Sequence, residues 1–407
     1  MERKTCARCK CKIATVWMRN GNRCVDCFQQ FMQRDLRVAL GRAPLSDCPT
    51  ALAVSGGFSS AALLSLYNYA LKSKLRHPKQ APPRTVAFHV IISQDLGGGG
   101  ASAYDIISEL ARKSNVEVIA LKLPQNVRES LVMVRNSTDR TTLTRAFVTE
   151  TVIRAAVTHS CDRVLFGDSA TRVAIDVLTK TITGHGGNVF STATPWIRVE
   201  NDNFLTEEDA VLPTDRRSNV VVVKPLRDIQ LRYCIKYMRL THPDFVPTSP
   251  SDISSGMTMD NIHGIIERFV ADTGEGNGSL VHNITRTAEK LKQSTCVCVL
   301  CGGSAWENPL KEDIETALNG YNERLLSKEA SNGCCDECNC RGADEDTHLC
   351  HGCREALKRS DSKDENETVR ALIEHRMNCI GRRARRSAMK QSIQSYLIEN
   401  DSLLKEA

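Results

Sequence analysis

No apolar stretch in the sequence approaches the length needed to cross a bilayer, so a membrane-spanning role is set aside and a soluble chain is expected. The residues from Met1 to Lys12 are rich in Cys and Lys and hold no apolar run followed by a cleavage site, so no secretory signal is read there and a reducing compartment is expected. A strong excess of one charge is also missing. Lys and Arg total 54 against 48 Asp and Glu, a formal net charge of +6. That bias permits a nucleic-acid partner without establishing one, because phosphate affinity depends on where the cations cluster. The central part of the chain has no internal repeat.

What the sequence has in abundance is cysteine, 18 residues, many of them in Cys-x-x-Cys pairs. In a reducing compartment such pairs point to metal coordination rather than to disulfides. Cys6, Cys9, Cys24 and Cys27 form two pairs at ribbon spacing, which lets two knuckles face each other and offer four thiolates tetrahedrally to zinc. Cys11 is left over. Toward the other end, Cys298, Cys301, Cys350 and Cys353 make a second quartet, and Cys335 with Cys338 offers a competing pair. Cys296, Cys334, Cys340 and His351 widen the choice. Four thiolates would close the coordination shell and leave no position for water, so these sites read as structural.

Between the cysteine-rich ends, composition and periodicity predict an α/β body. Ala51 to Val54 is a short apolar run that stops at Gly56-Gly57, and Ser59 to Leu75 carries apolar residues at helical spacing. Val86 to Ile92, Val116 to Leu123, Arg163 to Phe166 and Val220 to Val223 read as strands. Tyr104 to Arg112, Leu143 to Thr158 and Ile229 to Met238 read as helices, with Gly97 to Gly100 as a flexible loop. This alternation implies a parallel sheet covered by helices. From Thr181 to Arg217 the periodicity fades, and a long mobile excursion is expected. The resulting division is 1–45 for the cysteine head and a linker helix, 46–290 for the body, 291–358 for a second cysteine-rich module, and 359–407 for a charged linker and basic tail. The tail's Arg382, Arg383, Arg385, Arg386 and Lys390 encircle a helix rather than line one side of it, so a solvated helix face or a disordered tail is favoured over contact with a nucleic-acid backbone.

Ser55-Gly56-Gly57-Phe58-Ser59-Ser60 sits where a strand gives way to a helix. Glycines there let the backbone turn tightly, and the exposed N–H groups at the helix start converge on a negative group such as phosphate. The Walker lysine and the three spaced glycines of dinucleotide sites are both absent. Together with the cysteine head, this turn resembles the signature Ser-Gly-Gly-x-Asp-Ser of the PP-loop ATP pyrophosphatases, and within them the tRNA 2-thiolation group. The resemblance runs from the head to Leu349-Cys350-His351-Gly352-Cys353. It implies an α/β fold of the adenine nucleotide alpha hydrolase-like type, a parallel sheet with helices on both faces, flanked by zinc modules.

The departures from that family are equally informative. Ser59 stands where the signature has Asp. Where the catalytic members have Cys-x-x-Cys-Gly, this chain reads Thr141-Thr142-Leu143-Thr144-Arg145, and where they have Gly-His-Asn-Leu-Asp-Asp it reads Gly167-Asp168-Ser169-Ala170-Thr171-Arg172. Magnesium is normally fixed by carboxylates and phosphate oxygens, and sulfur transfer needs exposed, acidic thiols. The resemblance therefore implies a cytoplasmic, non-catalytic subunit whose remnant phosphate site is Ser55, Gly56, Gly57, Ser59 and Ser60. Its partners would be a catalytic thiolase subunit that binds ATP and magnesium, tRNA, and a thiocarboxylated ubiquitin-like sulfur donor reached through the complex. The complex would place sulfur on the wobble uridine of tRNAs for Lys, Glu and Gln. The rival reading is a self-sufficient sulfurtransferase using Asp168 for metal and Cys161 or Cys234 for sulfur.

Overall fold

The computed structural model describes residues 5–18, 21–45, 48–74, 83–92, 96, 100–199, 220–248, 261–276, 279–291, 296–298, 301, 304–305 and 350–358. Its centre is a six-stranded sheet of β1 (Thr50–Ala53), β2 (Thr85–Ile91), β3 (Glu117–Lys122), β4 (Arg163–Phe166), β5 (Trp196–Val199) and β6 (Val220–Val223), in the order β3-β2-β1-β4-β6-β5. All neighbours are parallel except β5, which runs antiparallel to β6 at one edge. The middle strands β1 and β6 are buried at every residue, as expected of parallel strands covered on both faces. The edge strand β3 has no fully buried residue.

Helices fill both faces. On one, α1 (Val25–Arg42), α2 (Phe58–Lys74), α3 (Gly100–Lys113) and α8 (Leu231–Thr241) share a core that includes Phe28, Met32, Leu36, Leu63, Ile107 and Met238. The spacing of Phe28, Met32, Leu36 and Leu40 puts them on one stripe of α1, so the helix that follows the cysteine head belongs to the core of the body. On the other face, α4 (Gln125–Met133) and α5 (Ser137–Thr158) pack Val127, Leu131, Phe147 and Ala156 against Phe88 and Val164. Helices α6 (Ala170–Ile182), α7 (Val189–Ala193), α9 (Ile262–Gly276) and α10 (Leu280–Ala288) form smaller apolar clusters beside the sheet. The last described elements are the two-stranded β7 (Cys296–Val297) and β8 (Ser304–Ala305), and α11 (His351–Lys358).

The chain leaves β1 toward β2 and β3 on one side, and later enters β4 and β6 on the other. Sheet order thus reverses between β1 and β4, and in open α/β sheets the crevice beyond the carboxyl ends of such strands is where ligands bind.

Two segments differ from expectation. The stretch from Thr181 is no mere excursion: α6 runs to Ile182, a short 3-10 turn spans Gly186–Asn188, α7 follows, and β5 closes the sheet edge. Five-residue and four-residue elements with half-exposed edges leave too short a pattern to read as periodicity; residues 200–219 lie outside the described residues. Helix α5 begins at Ser137 rather than Leu143. Asn136 caps it by accepting the N–H groups of Thr138 and Asp139, and Thr141 and Thr142 turn their hydroxyls back to the carbonyls of Ser137 and Thr138. A polar, threonine-rich first turn hides its helix from a hydrophobic count. Most of the Gly97 to Gly100 loop is outside the described residues.

Candidate functional site

Beyond Ala53 the backbone turns through Ser55, Gly56 and Gly57 into α2, the strand-turn-helix that the sequence predicts. Gly56 adopts φ +89°, open to glycine and strained for other residues. The turn is internally satisfied. Ser60 Oγ donates to the Gly57 carbonyl (3.1 Å), accepts the Ser55 N–H (3.3 Å) and lies 3.2 Å from Ser55 Oγ. Thr248 N–H donates to the Gly56 carbonyl (3.0 Å), and Phe245 meets Phe58 edge-to-face at 5.8 Å. The segment after α8 therefore lies against the turn. Ser59 is half-buried and brings a hydroxyl, with no formal charge, to the position of the signature Asp.

The crevice beside this turn is built from the carboxyl ends of β4 and β6 and from α5, α6 and α9. Arg145 on α5 binds Asp176 on α6 at 2.7 Å. The same guanidinium nitrogen lies 3.3 Å from Nδ1 of His263 on α9. Thr142 gives its proton to the Thr138 carbonyl at 2.9 Å, so its oxygen accepts from His263 Nε2–H at 3.3 Å. That fixes His263 as the neutral Nε2–H tautomer, with Nδ1 accepting from Arg145. The Ile262 N–H donates to Thr138 Oγ1 (3.1 Å), and Arg172 faces Glu267 at 3.9 Å. Helix α9 is thus fastened over the segment where the catalytic family pattern carries its paired cysteines.

Charge in the crevice opposes a magnesium site. Burial raises the Asp168 carboxyl, while Lys224, Arg172 and Arg145 are close enough to pull it the other way. Burial pushes Lys224 down to about 8, and its ammonium donates to the carbonyls of Ser191 (2.9 Å) and Thr192 (2.7 Å). Asp176 lies below the usual carboxylate range because Arg145, Arg172 and Lys180 outweigh its burial. A dication needs surplus anions, and here each carboxylate has a cation beside it.

Burial, then Arg145, push His263 down to about 3. The folded state holds this ring neutral, while an unfolded chain binds a proton near pH 6.5. Its contribution is therefore fully present above pH 6.5 and falls as pH drops toward 3. Between pH 7 and pH 5 this costs about 2 kcal/mol of stability. In urea titrations at the two pH values, His263→Gln is expected to remove that increment from the wild-type acid loss; an unchanged loss refutes the assignment.

At the amino end, the thiols of Cys6, Cys9, Cys24 and Cys27 all lie within 4.8 Å of one another, with Cys9 and Cys24 at 3.8 Å. A tetrahedral ion with metal–sulfur bonds of about 2.3 Å gives sulfur–sulfur edges of about 3.8 Å, so the set fits zinc. The knuckle turns through Lys10 at φ 57°, with Lys10 N–H donating to the Cys6 carbonyl and Cys6 N–H to that of Lys12. Backbone N–H groups of Cys9 and Cys24 hold the Cys6 thiol down at about 6, whereas burial and the neighbouring thiols push Cys27 up to about 12. Cys11 stays outside, its thiol exposed and bonded to the Cys9 carbonyl.

At the other end, Cys301, Cys350 and Cys353 converge with His185 within 4.8 Å. Cys301 and Cys350 are 3.7 Å apart, and Cys353 lies 3.7 Å from His185 Nε2. Cys298 is buried in the same cluster, its thiol lowered by hydrogen bonds from those of Cys301, Cys350 and Cys353. All four predicted cysteines are therefore together. His185, which the structure adds, comes from the body of the protein. The sequence carried one trace of it, a histidine set among glycines, Gly184-His185-Gly186-Gly187, just past a helix end. The alternative ligands Cys335 and Cys338, with Cys334, Cys340 and the basic residues Arg382 to Lys390, are outside the described residues.

The residues of the rival reading are scattered. Cys161 precedes β4, at the amino ends of the parallel strands, away from the crevice, and burial pushes its thiol up to about 11. Cys234 is fully buried in the core shared by α1, α2 and α8. Only Asp168 reaches the crevice.

Comparison with known proteins accords with this geometry. A family model described as "Cytoplasmic tRNA 2-thiolation protein 2" matches residues 261–355. The protein of that name from Debaryomyces hansenii is 22% identical over 359 residues, covering 75% of this chain and 76% of the relative. The one from Danio rerio is 25% identical over 285 residues, covering 61% of this chain and 52% of the relative, so this match spans about half of that protein's length. Among solved structures, the U34-tRNA thiolase NcsA from Methanococcus maripaludis, with its 4Fe-4S cluster, superposes with a TM-score of 0.50 at 17% identity, covering 73% of this chain and 92% of that one. This likeness shows that the two chains share a fold. In its cysteine-flanked α/β body and over residues 261–355 in particular, the chain is similar to the cytoplasmic tRNA 2-thiolation protein 2 family.

Proposed function

We propose that this chain is the non-catalytic subunit required in the cytoplasm for 2-thiolation of the wobble uridine (mcm5s2U) of tRNAs for Lys, Glu and Gln. It would act in a complex with a catalytic thiolase subunit that binds ATP and magnesium and takes sulfur from a thiocarboxylated ubiquitin-like protein. The observation that carries this reading is the content of the crevice. Arg145, Asp176, His263 and Thr142 bond to one another where sulfur chemistry would need thiolates and adenylation would need surplus carboxylates.

Zinc at Cys6, Cys9, Cys24 and Cys27, and in the C-terminal group around Cys301, Cys350 and Cys353, is part of the same proposal. When bound, it supplies cross-linking of loops rather than chemistry, since four protein donors fill its shell. The turn of Ser55, Gly56, Gly57, Ser59 and Ser60 keeps convergent backbone N–H groups at the start of α2, which favours an anion there independently of the lost Asp. Of the residues the self-sufficient sulfurtransferase would need, Asp168 alone lies in the crevice, with cations beside it.

The test is reconstitution. Purified chain with ATP and unmodified tRNA is expected to release no pyrophosphate and to form no thiocarbonyl; adding the catalytic subunit and sulfur donor restores thiolation above the level of that subunit alone. Thiolated tRNA produced by the chain without a companion would overturn the proposal.

A further inference from the structure

The C-terminal cluster offers five donors for an ion that takes four, and one of them reaches in from the body of the protein. His185 is 3% exposed and sits in the turn between α6 and the 3-10 segment Gly186–Asn188. Its ring is oriented by a chain of hydrogen bonds. Thr183 Oγ1 donates its single proton to the Thr179 carbonyl at 2.8 Å, so at 2.9 Å from His185 Nδ1 it can only accept. Nδ1 therefore carries a proton, and in the neutral imidazole the lone pair is on Nε2. That atom faces the sulfurs, 3.7 Å from Cys353 Sγ and within 4.8 Å of the Cys301 and Cys350 thiols.

A lone pair aimed at a group of sulfurs is satisfied either by one thiol proton, which can serve only one of the three, or by a cation lying between them all. The arrangement is that of a metal-bound histidine, whose second ring nitrogen donates to an outer oxygen that fixes its tautomer. With metal–sulfur bonds of about 2.3 Å and a metal–nitrogen bond of about 2.0 Å, a tetrahedron has a nitrogen–sulfur edge of about 3.5 Å, near the 3.7 Å between His185 Nε2 and Cys353 Sγ. The same turn serves the thiolates again through Asn188, whose Nδ2 donates to Cys301 Sγ at 3.6 Å. Charge points the same way, because three thiolates and an imidazole leave one negative charge fewer in a buried centre than four thiolates do.

We propose that the C-terminal metal is held by His185, Cys301, Cys350 and Cys353, with Cys298 outside the inner shell. The ion then joins the Cys350–Cys353 knuckle directly to the end of α6. The backbone is shaped for that contact. Gly352 N–H donates to the Gly184 carbonyl at 3.0 Å, Gly184 is at φ +79°, and a Cβ on Gly352 would fall 2.4 Å from the His185 ring. This assignment stands apart from the tRNA reading, since it concerns only what binds the ion.

Cadmium-113 NMR of the full chain loaded with cadmium tests it, because the shift moves strongly upfield when nitrogen replaces sulfur. Two resonances are expected, one all-thiolate from the amino-terminal cluster and one upfield of it. His185→Cys moves the second downfield to the all-thiolate position, and Cys298→Ser leaves it in place. Zinc-edge X-ray absorption of the unmutated chain gives an independent reading, with nitrogen expected in the first shell. Two all-thiolate resonances in the unmutated chain, a purely sulfur shell, or loss of the second resonance in Cys298→Ser would each overturn the assignment.

Discussion

Replacing Cys24 with Ser is expected to abolish one metal site and to unfold the segment from Thr5 to Arg23 while the sheet stays intact. The reason is how little else holds that segment. Apart from Val16, which is buried in the core of the body with Met18 packed against it, its buried cluster consists of Cys6, Cys24 and Cys27 with Cys9 against them, and among the described residues its regular structure is two isolated bridges, Thr5 with Ile13 and Val16 with Arg23. The large apolar residues Ile13 and Trp17 are 48% and 67% exposed and contribute no core. Structural zinc in such modules is worth about 10–16 kcal/mol of apparent binding free energy, all of which is folding free energy when no other core exists. Helix α1 should survive. Phe28, Met32, Leu36 and Leu40 are buried in the core of the body, and serine at the position before the helix is itself a good cap. Hydrogen exchange reads both halves: the amides of Cys6, Ala7, Lys10 and Arg23, which are bonded within the head, lose protection, while those in the middle of α1 keep it. Protection retained throughout the head would show that the metal is dispensable there.

The features of the fold that could be read in advance were those that depend on local pattern. The apolar runs at β1, β4 and β6 are continuous because both sheet faces are covered, and their four-residue lengths match the observed strands. The thiol pairs were legible for a related reason, since two knuckle cysteines sit two residues apart whatever surrounds them. What stayed hidden is long-range. His185 joins Cys353 across 168 residues, and Arg145 meets His263 across 118. Neither pairing leaves a mark in a local window. The absence of the family's thiols and carboxylates was readable at Thr141 to Arg145 and at Gly167 to Arg172. That the space is instead occupied by an ion pair and a neutral histidine required the arrangement of α5, α6 and α9.

Gly167→Ala is expected to cost about 3 kcal/mol, where most exposed substitutions change stability by less than about 0.5 kcal/mol. Gly167 directly follows β4 against the start of α2, and a Cβ there would stand 2.6 Å from Ser60 Cα and 2.9 Å from Ser60 N. Both are backbone atoms, so no rotamer change relieves the clash. Strand β4 is held in register between β1 and β6, and the first turns of α2 are pinned by Ala61, Ala62, Leu63 and Leu64, all fully buried. One of the two elements must move as a body, and the Ser55-to-Ser60 turn moves with it. Alanine also restricts the unfolded chain, which offsets about 0.4–1 kcal/mol, so the clash itself exceeds the net loss. Gly186→Ala is the control, because a Cβ at that position meets nothing within 4 Å. Urea denaturation should separate the two variants by well over 1 kcal/mol; equal midpoints would mean that β4 and α2 do not approach as closely as the turn requires.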